Sequence, residues 1–453
     1  MKTGIEELVE KYNVAVPRYT SYPTVPYWQS NPPSVDEWLS TVKKTFINTN
    51  QTKGISLYIH LPYCESLCTY CGCNTRITVN HKVEEPYIQT LLDEWNLYLN
   101  ALGEKPRIAE IHLGGGTPTF FSPKNLTHLI NGILKNAELI NDAELSFEGH
   151  PTNTTYEHLK TLREIGFNRV SYGIQDFDYK VQDAINRYQT FEEVKQVTEW
   201  SRELGYYSVN YDLVYGLPFQ TLESVTETIN KIIELKPDRI AYYSYAHVPW
   251  LKPAQRKYTE KDLPEQHSKL KLYMTGNELF SKAGYIDVGM DHFSLKEDSL
   301  TKAFENKTLH RNFMGYTTNN TSLMIGLGVS SISDSWGGFI QNYKVVEDYQ
   351  KAVSEGKFPF FKGHILNEED EWVRRHILNL VCNYETIIEE NNQFSTEIKE
   401  RLKSLENDHL VEVKGNKISV TSIGQRFVRN VCLAFDLKYW MAQPNKQIFS
   451  KAV

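Results

Sequence analysis

Cysteine is scarce in this chain of 453 residues. There are six, of which Cys382 and Cys432 stand alone and four crowd into ten positions, Cys64-Glu-Ser-Leu-Cys68-Thr-Tyr-Cys71-Gly-Cys73. The opening Met1-Lys2-Thr3-Gly4-Ile5-Glu6-Glu7 has no apolar core, so neither a secretory leader nor a disulfide framework is expected, and the cytoplasm is the expected compartment. Basic excess is also missing: 49 Lys and Arg face 56 Asp and Glu, a formal charge of −7. That excludes the broad positive surface of a nucleic-acid binder. No apolar run approaches about 18 residues, so no membrane-spanning helix is expected.

What remains is a globular chain, 40% hydrophobic and 23% charged, long enough for two domains with extensions. Its 28 tyrosines suit either ordinary cores or the wall of a pocket for a large flat ligand. β-branched and aromatic runs predict strands at Ile55–Leu61, Ile108–Leu113, Glu144–Glu148, Arg169–Gln175, Ser208–Val214 and Ile240–Tyr245. Helical periodicity predicts Glu85–Leu102, Pro123–Ala137, Tyr156–Ile165, Phe191–Leu204 and Leu222–Leu235 between them. Asn125 and Thr190 read as helix starts, the latter with Glu193 in capping-box position. Strand–helix alternation of this kind argues for a parallel sheet with right-handed crossovers. Full barrel, partial barrel and open sheet all remain compatible, with Ile286–Met290 and Leu323–Val329 as further strands.

The rhythm changes near Asn367. Helices Glu368–Val381 and Thr396–Leu405, a hairpin over Leu410–Val420 turning at Gly415-Asn416, and a helix Ile423–Phe435 suggest a small domain like a winged helix. Its charge favours a lid or packing role over DNA binding. The expected division is an N-terminal arm (1–50), not expected to fold alone, a catalytic domain (51–365) and this C-terminal domain (366–453).

Thiolates this close on one loop suit a polynuclear iron cluster. Structural zinc usually takes two ligand pairs about a dozen or more residues apart, and buried cysteine can be inert packing; both readings stay open on the residues alone. Function in a parallel βα array gathers at the carboxyl ends of the strands. There the chain places the cysteine loop, Gly114-Gly115-Gly116-Thr117-Pro118, Glu148, Gln175-Asp176 and Asp212. A charge within an apolar strand must be paired or face a cavity. Later loops add Asp291-His292 and His310-Arg311, whose imidazole and guanidinium groups are able to meet carboxylates.

Cys-x3-Cys-x2-Cys after a first strand, with a glycine strip after the second, resembles the radical SAM superfamily. Several further motifs narrow the likeness: Arg18-Tyr-Thr-Ser-Tyr-Pro-Thr24, the fourth cysteine Cys73, Gly173-Ile-Gln-Asp-Phe177, Tyr215-Gly-Leu-Pro218, Tyr245-Ala-His247, Gly289-Met-Asp-His-Phe293 and His310-Arg-Asn-Phe313. Together they resemble the oxygen-independent coproporphyrinogen III oxidase family, in order along nearly the whole chain. The resemblance implies a partial (β/α)6 barrel of parallel strands with added strands. It implies a [4Fe–4S] cluster on Cys64, Cys68 and Cys71, with a fourth iron open to S-adenosylmethionine. A 5′-deoxyadenosyl radical would take a hydrogen from a propionate, and loss of CO2 and an electron would leave a vinyl group, twice over. By family correspondence Tyr58, Gly115, Glu148 and Ile332 would touch one S-adenosylmethionine. Tyr70, Gly116, Thr117, Gln175, Arg187, Asp212 and Ala246 would touch a second. Asp212, Cys73, Arg311 and Met314 are the candidates nearest the reaction. The implied partners are coproporphyrinogen III and a low-potential donor such as flavodoxin or ferredoxin, with a monomer as the working unit.

Two positions depart from the family pattern: Met314 stands where glutamine is expected, and Gly149-His150 follows Glu148 in place of Val-Asp. Rival functions are a haem-delivering relative, whose kind usually lacks Cys73 and the Arg18–Thr24 arm, a haem-methylating radical enzyme, and a zinc-stabilised interaction protein.

Overall fold

The computed structural model describes residues 4–390, 392–442 and 449. Met1, Lys2 and Thr3 of the opening segment, and residues 391, 443–448 and 450–453 of the expected C-terminal domain, lie outside the described residues. A twelve-stranded sheet forms the frame. In chain order its strands are β1 (Ile55–Leu61), β2 (Arg107–Gly115), β3 (Glu138–Gly149), β4 (Arg169–Gln175), β5 (Ser208–Tyr215), β6 (Arg239–Ser244), β7 (Tyr285–Gly289), β8 (His292–Leu295), β9 (Met324–Leu327), β10 (Ile332–Asp334), β11 (Gly338–Asn342) and β12 (Phe360–Ile365). Their spatial order is β12-β11-β10-β9-β1-β2-β3-β4-β5-β6-β8-β7. Strands β9 and β1 through β6 run parallel, while both flanks are antiparallel. The two outer strands do not pair with each other. The frame is therefore a partial barrel with added strands.

Each predicted parallel strand forms; Ile55–Leu61 and Arg169–Gln175 keep both ends, while β3 begins six residues earlier than Glu144, at Glu138. The intervening helices form as the apolar spacing requires, and Thr190 and Glu193 make the reciprocal capping bonds. Asn125 does not start its helix. Ser122 caps it, accepting from the Asn125 N–H, and Pro123 fills the first turn, where its missing N–H costs nothing. Leu57, Ile59, Ile111, Leu113, Leu145, Phe147 and Ile240 are fully buried under the helices. Phe147 packs against Phe167 and Tyr206 with ring centroids 5.9 and 6.1 Å away. Phe147→Ala is expected to lower unfolding free energy by about 3–5 kcal/mol in urea titrations, the usual cost of an aromatic core truncation.

The first fifty residues hold two helices, Ile5–Tyr12 and Val35–Thr49. Trp38, Val42 and Phe46 of the second join the barrel core. Leu8, Val9 and Tyr12 of the first join a separate core with Val373, Ile377, Leu402 and Phe427 from the C-terminal segment. Hydrogen bonds from Arg429 to the Val16 and Pro17 carbonyls, and from Asn430 to that of Tyr12, fix the arm to the same helices. The expected hairpin is Val411–Lys414 with Lys417–Val420, and Glu385–Ile387 adds a third strand. Its turn uses Gly415 at φ +61°.

Candidate active site

Proline ends β1 at Pro62, and the chain then makes a two-residue strand, Tyr63–Cys64, paired in parallel with Arg76–Ile77. This pairing closes the base of the cysteine loop. Its crown is held by Asn186 Nδ2 donating to the Leu67 carbonyl at 2.9 Å and Thr69 N–H to that of Ile185 at 2.9 Å. Lys252 Nζ donates to the Cys73 carbonyl at 3.2 Å, and Gln255 Nε2 to those of Tyr70 and Ala246, each at 3.3 Å. Loops after β4 and β6 thus brace the loop after β1.

The thiols have different surroundings. Cys64 Sγ lies 3.3 Å from the Thr117 hydroxyl, and burial pushes its pKa up to about 11. Arg187 Nη1 donates to Cys68 Sγ at 3.6 Å while its other nitrogens bond the Gly173 carbonyl. Cys71 is pulled down to about 6, first by hydrogen bonding from the Cys73 thiol, with Cys73 N–H, Lys252 and Arg187 adding to it against the effect of burial. Positive and donor groups at a thiol favour the thiolate that binds metal. Among the described residues no three His, Cys, Asp or Glu side chains converge on one point as ligands of a single ion would. A polynuclear cluster asks for something else, one thiolate at each of several separate iron corners. The loop fits that need.

The glycine strip is fixed by close approach. Gly115 has φ +115°, and a Cβ there would stand 2.7 Å from the His60 ring; at Gly116 it would stand 2.6 Å from the Pro62 carbonyl. Gly116 N–H donates to Leu61 O at 2.8 Å, stitching β2 to the start of the cysteine loop. Only glycine permits both the backbone angle and the contact.

Beside the strip, Glu148 accepts from Gly115 N–H at 3.3 Å and lies 3.4 Å from His112 Nε2. Burial raises its pKa, but His112 and the Gly115 N–H outweigh that, and the carboxyl stays ionised below its usual range. Tyr58 stacks on His112 with centroids 6.0 Å apart. His60 Nε2 lies 2.9 Å from the Asn74 carbonyl, an acceptor only, so that nitrogen carries the hydrogen. Burial keeps the ring neutral, and Nδ1 therefore accepts from the Tyr58 hydroxyl at 3.0 Å. Tyr58 is aligned with Gly326 of β9, whose missing side chain admits the Ile332 carbonyl. Asp212 accepts from Ser171 and Asn210, each at 2.9 Å. Burial, then the nearby Glu148 charge, pushes its pKa up to about 6. Gln175 is held at φ +66°, a backbone conformation costly for a side-chain-bearing residue and common at functional sites.

Cys64, Thr117, Cys68 and Arg187 thus meet at the loop, while Tyr58, Gly115 and Glu148 form the neighbouring wall. Asp212 is within electrostatic reach of Glu148 and Arg187. Asp176 is engaged elsewhere: Gln220, Thr228 and the Asp178 N–H all donate to it, at 2.6, 2.9 and 2.7 Å, tying strand β4 to its neighbours. Arg311 and Met314 sit on a separate hairpin, His310–Asn312 with Gly315–Thr317, where Met314 N–H donates to Asn312 Oδ1 at 2.9 Å. His150 closes the turn after β3, its Nδ1 meeting the Thr152 hydroxyl at 2.8 Å, and burial and then Arg187 hold its pKa near 2. Sequence reasoning passed over His60 and His112, since a lone histidine on a strand is most often structural; the alternation of His60 with Tyr58 on β1 was the available signal for the first, and His112 carried none.

The radical SAM superfamily model matches residues 58–232. An oxygen-independent coproporphyrinogen III oxidase of Pseudomonas aeruginosa is 36% identical, over 99% of this chain and 98% of its own. One from Helicobacter pylori is 38% identical over 96% and 97%. The solved Escherichia coli coproporphyrinogen III oxidase, described as a radical SAM enzyme, superposes with a TM-score of 0.88 at 35% identity, covering 93% of this chain and 97% of its own. With the cysteine loop, the glycine strip, Glu148 and Asp212 gathered at the carboxyl-terminal halves of neighbouring parallel strands, this end-to-end likeness places the chain in the oxygen-independent coproporphyrinogen III oxidase family of the radical SAM superfamily.

Proposed function

We propose that this enzyme converts two propionate side chains of coproporphyrinogen III to vinyl groups without oxygen, giving protoporphyrinogen IX for haem synthesis. The observation that carries the reading is the near-full-length identity of 35–38% to enzymes named for that activity. Each propionate loses one hydrogen atom, CO2 and one electron. The cluster and S-adenosylmethionine, when bound, supply the reducing electron and a carbon-centred radical able to take hydrogen from an unactivated C–H bond.

The protein's part is to hold, orient and exclude water. Cys64, Cys68 and Cys71 would carry the cluster. Glu148, ionised and fixed by His112, suits the ammonium of one S-adenosylmethionine, with Tyr58, Gly115 and Ile332 shaping its site. Arg187 suits a carboxylate, and Asp212 suits ribose hydroxyls or a sulfonium, on a second molecule flanked by Tyr70, Gly116, Thr117, Gln175 and Ala246. Cys73 is exposed and acts by hydrogen bonding to Cys71 without binding iron. Cys73→Ser should therefore retain the broad visible absorption of the cluster, and its loss would make Cys73 a ligand. A low-potential donor of flavodoxin or ferredoxin type would deliver electrons to a cytoplasmic monomer; no helix among the described residues is long and apolar enough to cross a membrane. Met314 in place of glutamine leaves the substrate side without one amide. Anoxic incubation with coproporphyrinogen III, S-adenosylmethionine and a reductant, followed by mass analysis, tests the reading: loss of two carboxyl groups is expected, and unchanged substrate would overturn it.

A further inference from the structure

One buried cation lies on a hairpin apart from the cysteine loop and the glycine strip. Arg311 is 8% exposed and its guanidinium lies over the Tyr316 ring, 4.6 Å from the centroid. Its Nε and Nη1 nonetheless meet no hydrogen-bond acceptor among the described residues. Burying charged donors without acceptors is destabilising, so they are retained where a ligand brings the acceptors. Arg311 borders a cavity of about 50 Å³ together with Arg18, Arg426 and Arg429. The facing acids are Asp291, 3.6 Å from Arg18, and Asp287, which already accepts from Gly289 N–H and Asn277. Four guanidinium groups against two carboxylates leave the pocket positive. Fork-shaped donors of this kind match a carboxylate.

The small cavity adjoins a larger one of about 690 Å³, and Arg18, Tyr215, Ser244 and Tyr273 border both. The larger one carries Tyr245, Trp250 and Leu251 on its wall and reaches Ala246, a size and apolar character suited to a macrocycle. Toward the cofactor rim, the Tyr243 hydroxyl is 3.4 Å from His292 Nε2, and its ring feels the charges of Asp212 as well as those of Asp291, Arg311 and Arg18.

We infer that Arg311, with Arg18 and Arg426, holds a propionate carboxylate of the tetrapyrrole other than the one being lost. The inference rests on the tetrapyrrole reading above. Asp212 does not border this pocket, so a carboxylate held here anchors the ring while another propionate faces the cofactors. Holding the departing carboxylate in a guanidinium fork would stabilise its charged ground state and oppose loss of CO2, which is a second reason to assign the pocket to an anchor.

The test is binding of coproporphyrin III, the stable tetracarboxylate, and of its uncharged tetramethyl ester to the cluster-loaded enzyme, followed by tryptophan fluorescence quenching. Arg311→Met should weaken the acid about 10- to 100-fold, the value of a charge-assisted hydrogen-bond pair, and leave the ester unchanged. Arg311→Lys should recover part of the loss. Cluster absorption reports whether each variant is folded; should Arg311→Met not fold, the part-exposed Arg426→Gln should still weaken the acid selectively. Acid affinity within about twofold of wild type in the folded variants would overturn the anchor and leave the substrate reading intact. Wild-type enzyme that binds neither acid nor ester would overturn the substrate reading itself.

Discussion

Cys68→Ala is expected to give a folded chain with no cluster absorption and no cleavage of S-adenosylmethionine. The loop is braced by contacts of Leu67, Thr69, Tyr70 and Cys73 with the loops after β4 and β6, none of which uses the Cys68 thiol, so its removal does not unfold the site. What it removes is one of three sulfur ligands and the acceptor 3.6 Å from Arg187 Nη1. All the difficult chemistry belongs to the cofactor, so turnover should fall by about 10³-fold or more, equivalent to ~4 kcal/mol or more at the barrier. Anaerobic spectra and 5′-deoxyadenosine assays on purified protein check it. A variant that keeps full iron content and turnover would remove Cys68 from the ligand set.

Asp212→Asn should leave the cluster intact and reduce turnover about 100-fold, the scale of charged hydrogen bonds lost at a bound cofactor. The substitution preserves shape: the remaining oxygen can keep the bond from Asn210 while the new amide donates to the Ser171 hydroxyl, so the effect isolates the charge. The carboxyl titrates near 6, raised by burial and then by Glu148. A raised carboxyl pKa means that the ionised form needed to accept from ribose hydroxyls or face a sulfonium disappears as pH falls through about 6. Activity under subsaturating S-adenosylmethionine should decline on that acid limb in the wild type and lose the limb in Asp212→Asn. The sign for stability is the opposite: folding favours the protonated group, so its contribution is present below the unfolded pKa and lost as pH rises through the folded one. Near-normal activity of Asp212→Asn would take the residue out of the site.

The repeating parallel strands were legible in the sequence because each is a β-branched run bounded by turns, and burial on both faces leaves that pattern unbroken. The antiparallel flank was less so. Strands β8, β10, β11 and β12 are three to six residues long, and short segments carry little periodicity. Helix Ile5–Tyr12 is eight residues, marginal alone, and depends on packing Leu8, Val9 and Tyr12 against the C-terminal core. The site divides in the same way. The cysteine loop and glycine strip are local in sequence and were visible as motifs. His112 beside Glu148, and Arg311 in one pocket with Arg18 and Arg429, are brought together only by the fold, and nothing in their neighbours along the chain marks the pairing.

Every step proposed for this enzyme requires the three-cysteine loop to build a reducible cluster that activates S-adenosylmethionine. Anoxically reconstituted protein, given S-adenosylmethionine and a strong reductant, should release 5′-deoxyadenosine together with methionine. Protein that takes up iron and sulfide yet releases none would contradict it.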